Sequence, residues 1–423
     1  MSREVPQDWL ETEIGEIAEI QIGGTPSRAV PSYWAQNEEE GLPWLSIADM
    51  RAPEIFRTKE RITASGAKNS NAKLIKPDTV LMSFKLSIGK IAIARVPLYT
   101  NEAIAAFIPD PTKLENSFLR YALPHFVGYV ETDQAVKGVT LNKAKLKSLV
   151  LPLPPLYEQR RIAEILSSVD EAIATTRAMI EQTRKVKQGV LERLLTKGIG
   201  HKRFKQTEIG KIPEEWEVVN LFDVLREPAR NGYSPVSPPL PTGGWLLSLG
   251  SLSNDGLTGE NLKPAPLDDT RMGAAKLSYG DVLISRSNTP ERVGMVGIYK
   301  GQPPNCFFPD LMICLRFSEG LINADFGALW LRHLQATGYF KRAAAGTSAS
   351  MVKINRGLLS RIRIAVPSIG EQKTIVNKIN EIHLTIGAAE DQLRAAVSMK
   401  AALVSDLLTG RKRVTDALPM AAE

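Results

Sequence analysis

The sequence predicts an α+β chain in which two mixed, strand-rich domains are joined by two long helices. The helices pack as an antiparallel coiled coil, and the whole is an internal repeat with a pseudo-twofold axis. Three observations predict this. From Pro155 to Gly198 the chain has no proline after Pro155 and one internal glycine, Gly189. Along that stretch Ile162, Val169, Thr176, Thr183 and Val190 recur every seven residues, and Leu166, Ile173, Ile180, Lys187 and Leu194 recur four places later. Such 4-3 spacing is the seam of a helix that packs on another long helix. Finally, the pattern returns 213 residues on, as the distance from Glu158 to Glu371 shows. Ile375, Ile382, Ala389, Ala396 and Leu403 form one row, and Ile379, Ile386, Leu393, Lys400 and Leu407 the other. The punctuation repeats as well: Glu158-Gln159 as Glu371-Gln372, Pro154 as Pro367, Leu194-Leu195-Thr196 as Leu407-Leu408-Thr409, and Lys187 as Lys400. Apolar periodicity alone does not reproduce punctuation, so the chain is a duplication.

The order is domain, rod, domain, rod, with boundaries at residues 1–154, 155–200, 201–366 and 367–412 and a tail at 413–423. The first domain enters through VPQDWLETEIGEIAEI, which returns as IPEEWEVVNLFDVL around Trp216. IGGTPSRAVPSYW (Ile22 to Trp34) is rich in glycine, proline and serine and reads as an irregular loop. PWLSIADM, DTVLMSF and KIAIARV read as strands, being apolar and β-branched runs bounded by turn residues. SFLRYALPHFVGYV reads as a short helix interrupted at Pro124. GIGHKRFKQTEIG reads as a short basic linker into the second domain. There GWLLSLGSL stands for PWLSIADM, GDVLISRSNTPERVGMVGIY for PDTVLMSFKLSIGKIAIA, and FGALWLRHLQATGYF for the short helix. MVKINRGLLSRIRIAVP stands for GVTLNKAKLKSLVLPLP, which puts Asn355 in the place of Asn142. The rods match closely and the domains only in scaffold, as expected if the domains bind different targets and the rods share one task.

The seam lysines set the direction of pairing. In a parallel, in-register pair Lys187 would face Lys400, two ammonium groups in an apolar seam, where repulsion and desolvation both cost. In an antiparallel pair aligned end to end, facing residue numbers sum to about 567, given 1.5 Å of rise per residue in both helices. Lys187 then lies near Asn380 and Glu381, and Lys400 near Ser167 within reach of Asp170.

A length of 423 residues with 43% hydrophobic and 23% charged residues is that of an ordinary globular chain of two or three domains. The opening MSREVPQDWLETEIGEI is acidic and broken by proline, unlike a signal peptide. Neither a run of 18 apolar residues nor a disulfide framework is present, since Cys306 and Cys314 are the only two cysteines, so a cytoplasmic location is expected. The net charge of +7 matters less than its distribution. Between Gln134 and Tyr157 lie Lys137, Lys143, Lys145 and Lys147 with no acid. Between Phe326 and Gly370 lie Arg332, Lys341, Arg342, Lys353, Arg356, Arg361 and Arg363, again with no acid. The same place in each repeat is therefore basic. That suits a phosphate backbone or, more blandly, a solvated lysine face.

Catalytic signatures are missing. There is no phosphate loop, no H-E-x-x-H and no G-x-S-x-G. Ile22-Gly23-Gly24-Thr25 and Gly198-Ile199-Gly200 are too short for a dinucleotide fingerprint. The tetrapeptide of amino-methyltransferases and the acid-x-lysine of metal nucleases are also lacking. His125, His201, His333 and His383 fall in different elements without ligand spacing, and Ser83 and Ser285 end equivalent strands without a nearby histidine. No metal site or catalytic residue is expected.

Pro-Leu-Pro-Pro-Leu-x-Glu-Gln-x-x-Ile at 152–162, its echo at 367–375 and the Leu-Leu-Thr endings resemble the long helices of DNA-specificity subunits of type I restriction–modification enzymes. GGTPSRAVPSYW with PWLSIADM resembles the opening of their target-recognition domains, and GDVLISRSNT, AAGTSASMVKIN and GVTLNKAKLKSL resemble other family segments. The ordered set covers nearly all of 5–412. In one departure, GVTLNKAKL lacks the serine-methionine of SASMVKIN. The resemblance implies a non-catalytic subunit that reads a bipartite double-stranded DNA target, one half per domain, with the helical pair as spacer. It implies two modification subunits that use S-adenosylmethionine to methylate adenine, and restriction subunits that use ATP and Mg, with no cofactor on this chain. Domains about 40 Å across place their centres about one DNA turn apart. Basic residues beside strand ends and in the acid-free stretches make Lys85, Lys90, Lys137, Lys143, Arg286, Arg292, Arg342, Lys353 and Arg356 candidate DNA contacts. Thr25, Ser27 and Asn288 join them from the segments that carry the resemblance. The alternative is a duplicated scaffold whose coiled coil joins two protein-binding domains; salt-sensitive DNA binding separates the two.

Overall fold

Straight helical propensity and the lack of internal proline carry Leu156–Lys197 as one helix of 42 residues and Ile369–Leu408 as another of 40. The computed structural model describes residues 5–85, 87–127, 141–348 and 351–414. Its contacts divide the chain into two compact units, Met1–Arg177 with Asp391–Glu423, and Ala178–Glu390. The division falls within both long helices, so each unit holds one half of each.

In the first unit Ala18–Ile22, Ile104–Pro109, Val80–Ser83 and Ile91–Ala94 form an antiparallel sheet in that order, and Glu54–Ile55 joins its edge in parallel. A second sheet runs Glu60–Ile62, Leu42–Leu45, Leu98–Thr100, Leu74–Ile75, with Trp44 opposite Tyr99 in a parallel pairing. Leu10–Glu13 pairs with Val150–Leu153, the strand that leads into the first long helix. Phe107, Phe118 and Met82 are fully buried in one core with Ile162 and Leu166 of the first long helix and Leu407 and Leu408 of the second.

The second unit repeats the plan. Arg230–Asn231, Met312–Leu315, Val282–Ser285 and Val296–Ile298 form the antiparallel sheet. Trp245–Leu246 pairs in parallel with Cys306–Phe307, and Glu217–Asn220 pairs with Arg363–Val366 before the second long helix. The matching turns Asp78 and Gly280 both take positive φ, 61° and 87°, and donate to Ala94 and Tyr299 carbonyls. Asn142 and Asn355 each cap a short helix, accepting from Lys145 and Leu358 amides at 2.9 and 2.8 Å.

Each rod begins on the same buried clamp. Gln159, fully buried, donates to Lys113 and Pro154 carbonyls and accepts from the Glu115 amide. Gln372 donates to Leu321 and Pro367 carbonyls and accepts from the Asn323 amide. The neighbouring glutamates receive the entry tryptophans, Trp9 Nε1 on Glu158 and Trp216 Nε1 on Glu371, both at 3.0 Å. The cations differ: Arg413 grips Glu158 at 2.7 Å, whereas His201 lies 3.0 Å from Glu371.

Within each unit the helix halves run antiparallel. In the second, Lys187 faces His383 at 3.4 Å and Ile199 N donates to Glu371; in the first, Lys400 meets Asp170 at 2.6 Å and Arg413 meets Glu158. Facing numbers sum to 570 for Lys187 with His383 and for Asp170 with Lys400, not to about 567. The shift is almost one turn. Lys187 therefore misses Asn380 and Glu381 and finds its carboxylate elsewhere, in Asp255 at 3.5 Å from the hairpin Leu252–Leu257. Lys400 meets the expected Asp170, which also accepts from Tyr121 OH at 2.9 Å. Burial first, with the nearby Asp170 carboxylate adding to it, pushes the Tyr121 phenol up to about 12. Seam residues Ile162, Leu166, Ile173, Ile180, Leu194, Ile375, Ile379, Ile386 and Leu407 are buried, while Val169, Ile382, Leu393, Lys187 and Lys400 are half-buried.

Two expectations are corrected. The helix Asn116–Val127 runs through Pro124 instead of breaking there: the proline forgoes one main-chain bond to the Arg120 carbonyl, while Phe118, Leu119, Leu123 and Phe126 on either side of it stay buried in the core. The basic linker folds into a hairpin, Phe204–Thr207 with Gly210–Pro213, which buries Ile212 on the entry tryptophan's core. No helix among the described residues is long and apolar enough to cross a membrane. Burial pushes the thiols of Cys306 and Cys314, both in the second unit, up to about 12. Neither should react with a thiol reagent near neutral pH until that unit opens; rapid labelling of the native chain would contradict this burial.

Candidate nucleic-acid interface

The strand Val282–Ser285 continues into Ser287–Asn288, which pairs with Met351–Lys353, placing Ser287 opposite Lys353. Ile354 N donates to Arg286 O at 2.8 Å, and Arg286 N to Leu311 O at 2.8 Å. Arg286 and Lys353 are thereby neighbours. Arg356 opens the helix capped by Asn355 and donates to Ala229 O at 3.4 Å, beside Arg230. Arg286 and Lys353 thus lie side by side where the strands end, and Arg356, through the Ala229 carbonyl, reaches the strand that Arg230 begins.

Other candidates in this unit lie elsewhere. Asn288 is 7% exposed, and its amide and carbonyl are used by Ser285 Oγ and Thr289 N. That buried turn role is why it does not face solvent. Arg292 donates to Leu252 O at 2.9 Å, and Arg342 to Thr337 O at 2.8 Å, on elements other than these strand ends.

The first unit assembles its counterpart with different side chains. Phe84 stands where Arg286 does: Phe84 N donates to Ala103 O, and Leu141 N to Phe84 O at 3.3 Å. Lys85 follows Phe84 and Lys143 follows the cap Asn142, so both flank this joint; Lys90 donates its amide to Ser83 Oγ at the far end of the same loop. Lys137 lies outside the described residues. Thr25 and Ser27 are exposed on the loop above. Gly24 N donates to Thr100 O at 2.8 Å, and a Cβ on Gly23 would lie 2.0 Å from Thr100 O, so the loop lies flat on that strand. Thr25 Oγ1 donates to Glu102, and Ser27 O accepts from Trp34 Nε1 at 3.2 Å. Arg28 stacks 3.7 Å over the Trp34 ring while bound by Glu60, an exposed planar cation beside the loop.

Sequence reading missed Arg230, Arg28 and the acids Glu102 and Asp310. Burial opposes ionisation of Glu102, but Thr25, its own amide and Lys85 together hold its pKa below the usual value. An acid at the same place in both copies was the available signal. In the second loop Arg271, chiefly by hydrogen bonding, lowers Asp269 to about 2; Tyr233 OH also donates to Asp269. Among the described residues no group of three or more His, Cys, Asp or Glu is placed to hold a metal ion. The arrangement presents fixed cations and loop hydroxyls, the chemistry of phosphate and base-edge contact.

Residues 6–183 match the model of the type I restriction modification DNA specificity domain. The putative type I restriction enzyme MjaX specificity subunit of Methanocaldococcus jannaschii is 28% identical, over 97% of this chain and 95% of that protein. The MjaVIII specificity subunit of the same organism is 26% identical over 97% and 94%. A solved chain from a type I restriction–modification system shares the fold, with a TM-score of 0.64 at 16% identity over 96% of this chain and 98% of that one. Over nearly its whole length the chain is thus similar to DNA-specificity subunits of type I restriction enzymes, and its residues 6–183 carry the match to the specificity-domain model.

Proposed function

We propose that the chain reads a bipartite double-stranded DNA target, one half through each unit, and carries that specificity to catalytic partners. The observation that supports this most is the strand-end joint, wired alike through the main chain at Phe84 and at Arg286, flanked by basic residues in both units and filled with diverged side chains. Shared wiring fits a shared ligand backbone; diverged side chains fit two different words. The chain itself performs no chemistry in this reading and binds no cofactor. Two modification subunits with S-adenosylmethionine methylate adenine, and restriction subunits use ATP and Mg, in the cytoplasm.

Alanine at Lys85, Lys143, Arg286, Lys353 or Arg356 tests it. Each phosphate contact removed should weaken binding similarly for all sequences and reduce the salt slope by about 1. If most of these variants keep both affinity and slope, the interface lies elsewhere. Salt-independent affinity of the unaltered chain would reject DNA reading in favour of a protein scaffold.

A further inference from the structure

Two carboxylates sit beside the strand-end cations, yet among the described residues neither is ion-paired. Thr25 Oγ1 donates to Glu102 Oε2, and Ser234 Oγ donates to Asp310 Oδ1. Among the described residues, no side chain bonds the second oxygen of either acid. Arg286, close enough to neutralise Asp310, gives its Nη1 to the Asp310 main-chain oxygen at 3.3 Å instead. Glu102 is exposed and Asp310 half-exposed.

The two sites are built alike. Gly24 N donates to Thr100 O at 2.8 Å, and Tyr233 N to Phe308 O at 3.1 Å. A Cβ at Gly23 would lie 2.0 Å from Thr100 O, and one at Gly232 2.1 Å from Phe308 O, so both loops are pressed against the strand before the acid. Ala103 and Leu311, the residues after the two acids, accept from Phe84 and Arg286 amides. One loop thus carries a threonine and the other a serine, and one acid is glutamate and the other aspartate, but in both copies a single loop hydroxyl is the side chain that holds the carboxylate.

On a surface that meets phosphates, an unpaired carboxylate opposes binding. An ionised carboxylate only accepts hydrogen bonds, and the donors a duplex offers in its major groove are the exocyclic amino groups of cytosine and adenine. We infer, resting on the DNA-reading function proposed above, that Glu102 and Asp310 are specificity-determining residues, each accepting a hydrogen bond from the amino group of a cytosine or adenine in its own half of the target. The loop hydroxyls are positioning residues that aim the free oxygen.

Selection of words by the full-length chain from a randomised duplex pool, followed by sequencing, tests this. The unaltered chain should select a two-part word with cytosine or adenine at one position in each half. Glu102→Gln should lose about tenfold or more of its preference at one position of one half, and Asp310→Asn the same in the other half. Both should also bind unrelated DNA more tightly, since a negative charge is gone. Thr25→Val, which keeps the acid and removes its holder, should weaken the preference at the Glu102 position without changing the base. Tighter binding with an unchanged word in Glu102→Gln and Asp310→Asn would overturn the inference and leave these acids as mere charges. If the unaltered chain selects no word, the DNA-reading function fails, and the inference with it.

Discussion

Exchanging residues 1–150 for the equivalent segment of a similar specificity subunit should rewrite one half of the recognised DNA word and leave the other half intact. The clamp at the start of the rod explains why such an exchange can fold. Gln159 holds the domain through the Lys113 and Pro154 carbonyls and the Glu115 amide, all main-chain atoms. Any domain that offers a carbonyl and an amide in that geometry, plus a tryptophan for Glu158, can dock without matching side chains. Gln372 makes the same bonds to Leu321, Pro367 and Asn323. Selection of words by the exchanged chain from a randomised duplex pool, followed by sequencing, reads the result. Alteration of both halves would refute one half per unit.

Gln372→Ala should destabilise the second unit by about 3 kcal/mol, because it removes the three main-chain hydrogen bonds that this fully buried side chain makes to Leu321, Pro367 and Asn323. Gln159→Ala should do the same to the first unit. The cysteines tell the two apart, since Cys306 and Cys314 both lie in the second unit. Thiol labelling should accelerate in Gln372→Ala and stay slow in Gln159→Ala, while both lower the melting temperature. A loss below about 0.5 kcal/mol in both variants would mean that water replaces the glutamine, and the clamp would be ornamental.

Much of this was legible in the chain because a duplication carries its own control. Glu158-Gln159 and Glu371-Gln372 stand at matching places because they make matching bonds, and Asn142 and Asn355 because both cap helices. The heptad rows gave the seam, and the two lysines gave its direction. What escaped depends on contacts distant in sequence. Asp255 reaches Lys187 from a hairpin in the globular part, and no periodicity foretells which loop supplies a counter-charge. The register differs by almost a turn from end-to-end alignment, with Lys187 beside His383 and Lys400 beside Asp170, and heptad spacing alone does not fix that offset. Thr25 and Glu102 are 77 residues apart, so their union appears only once strands Ala18–Ile22 and Ile104–Pro109 are paired. Asn288 was chosen for its amide, which a buried turn consumes.

The two units differ in how they use the order of the chain. Residues Ala178–Glu390 are contiguous, whereas the first unit needs both Met1–Arg177 and Asp391–Glu423. Leu407 and Leu408 lie in the first unit's core, and Arg413 closes on Glu158, which was made some 255 residues earlier. On the ribosome, therefore, the second unit has all its parts in hand while the first, though begun earlier, still waits for its last helix. During that interval the core around Ile162 and Leu166 lacks Leu407 and Leu408, and Glu158 lacks its guanidinium. At about 5–20 residues per second the wait lasts roughly ten seconds to a minute. The N-terminal unit, begun first, is thus completed after the second one, and a chain released before Leu407 has a finished second unit and an open first one.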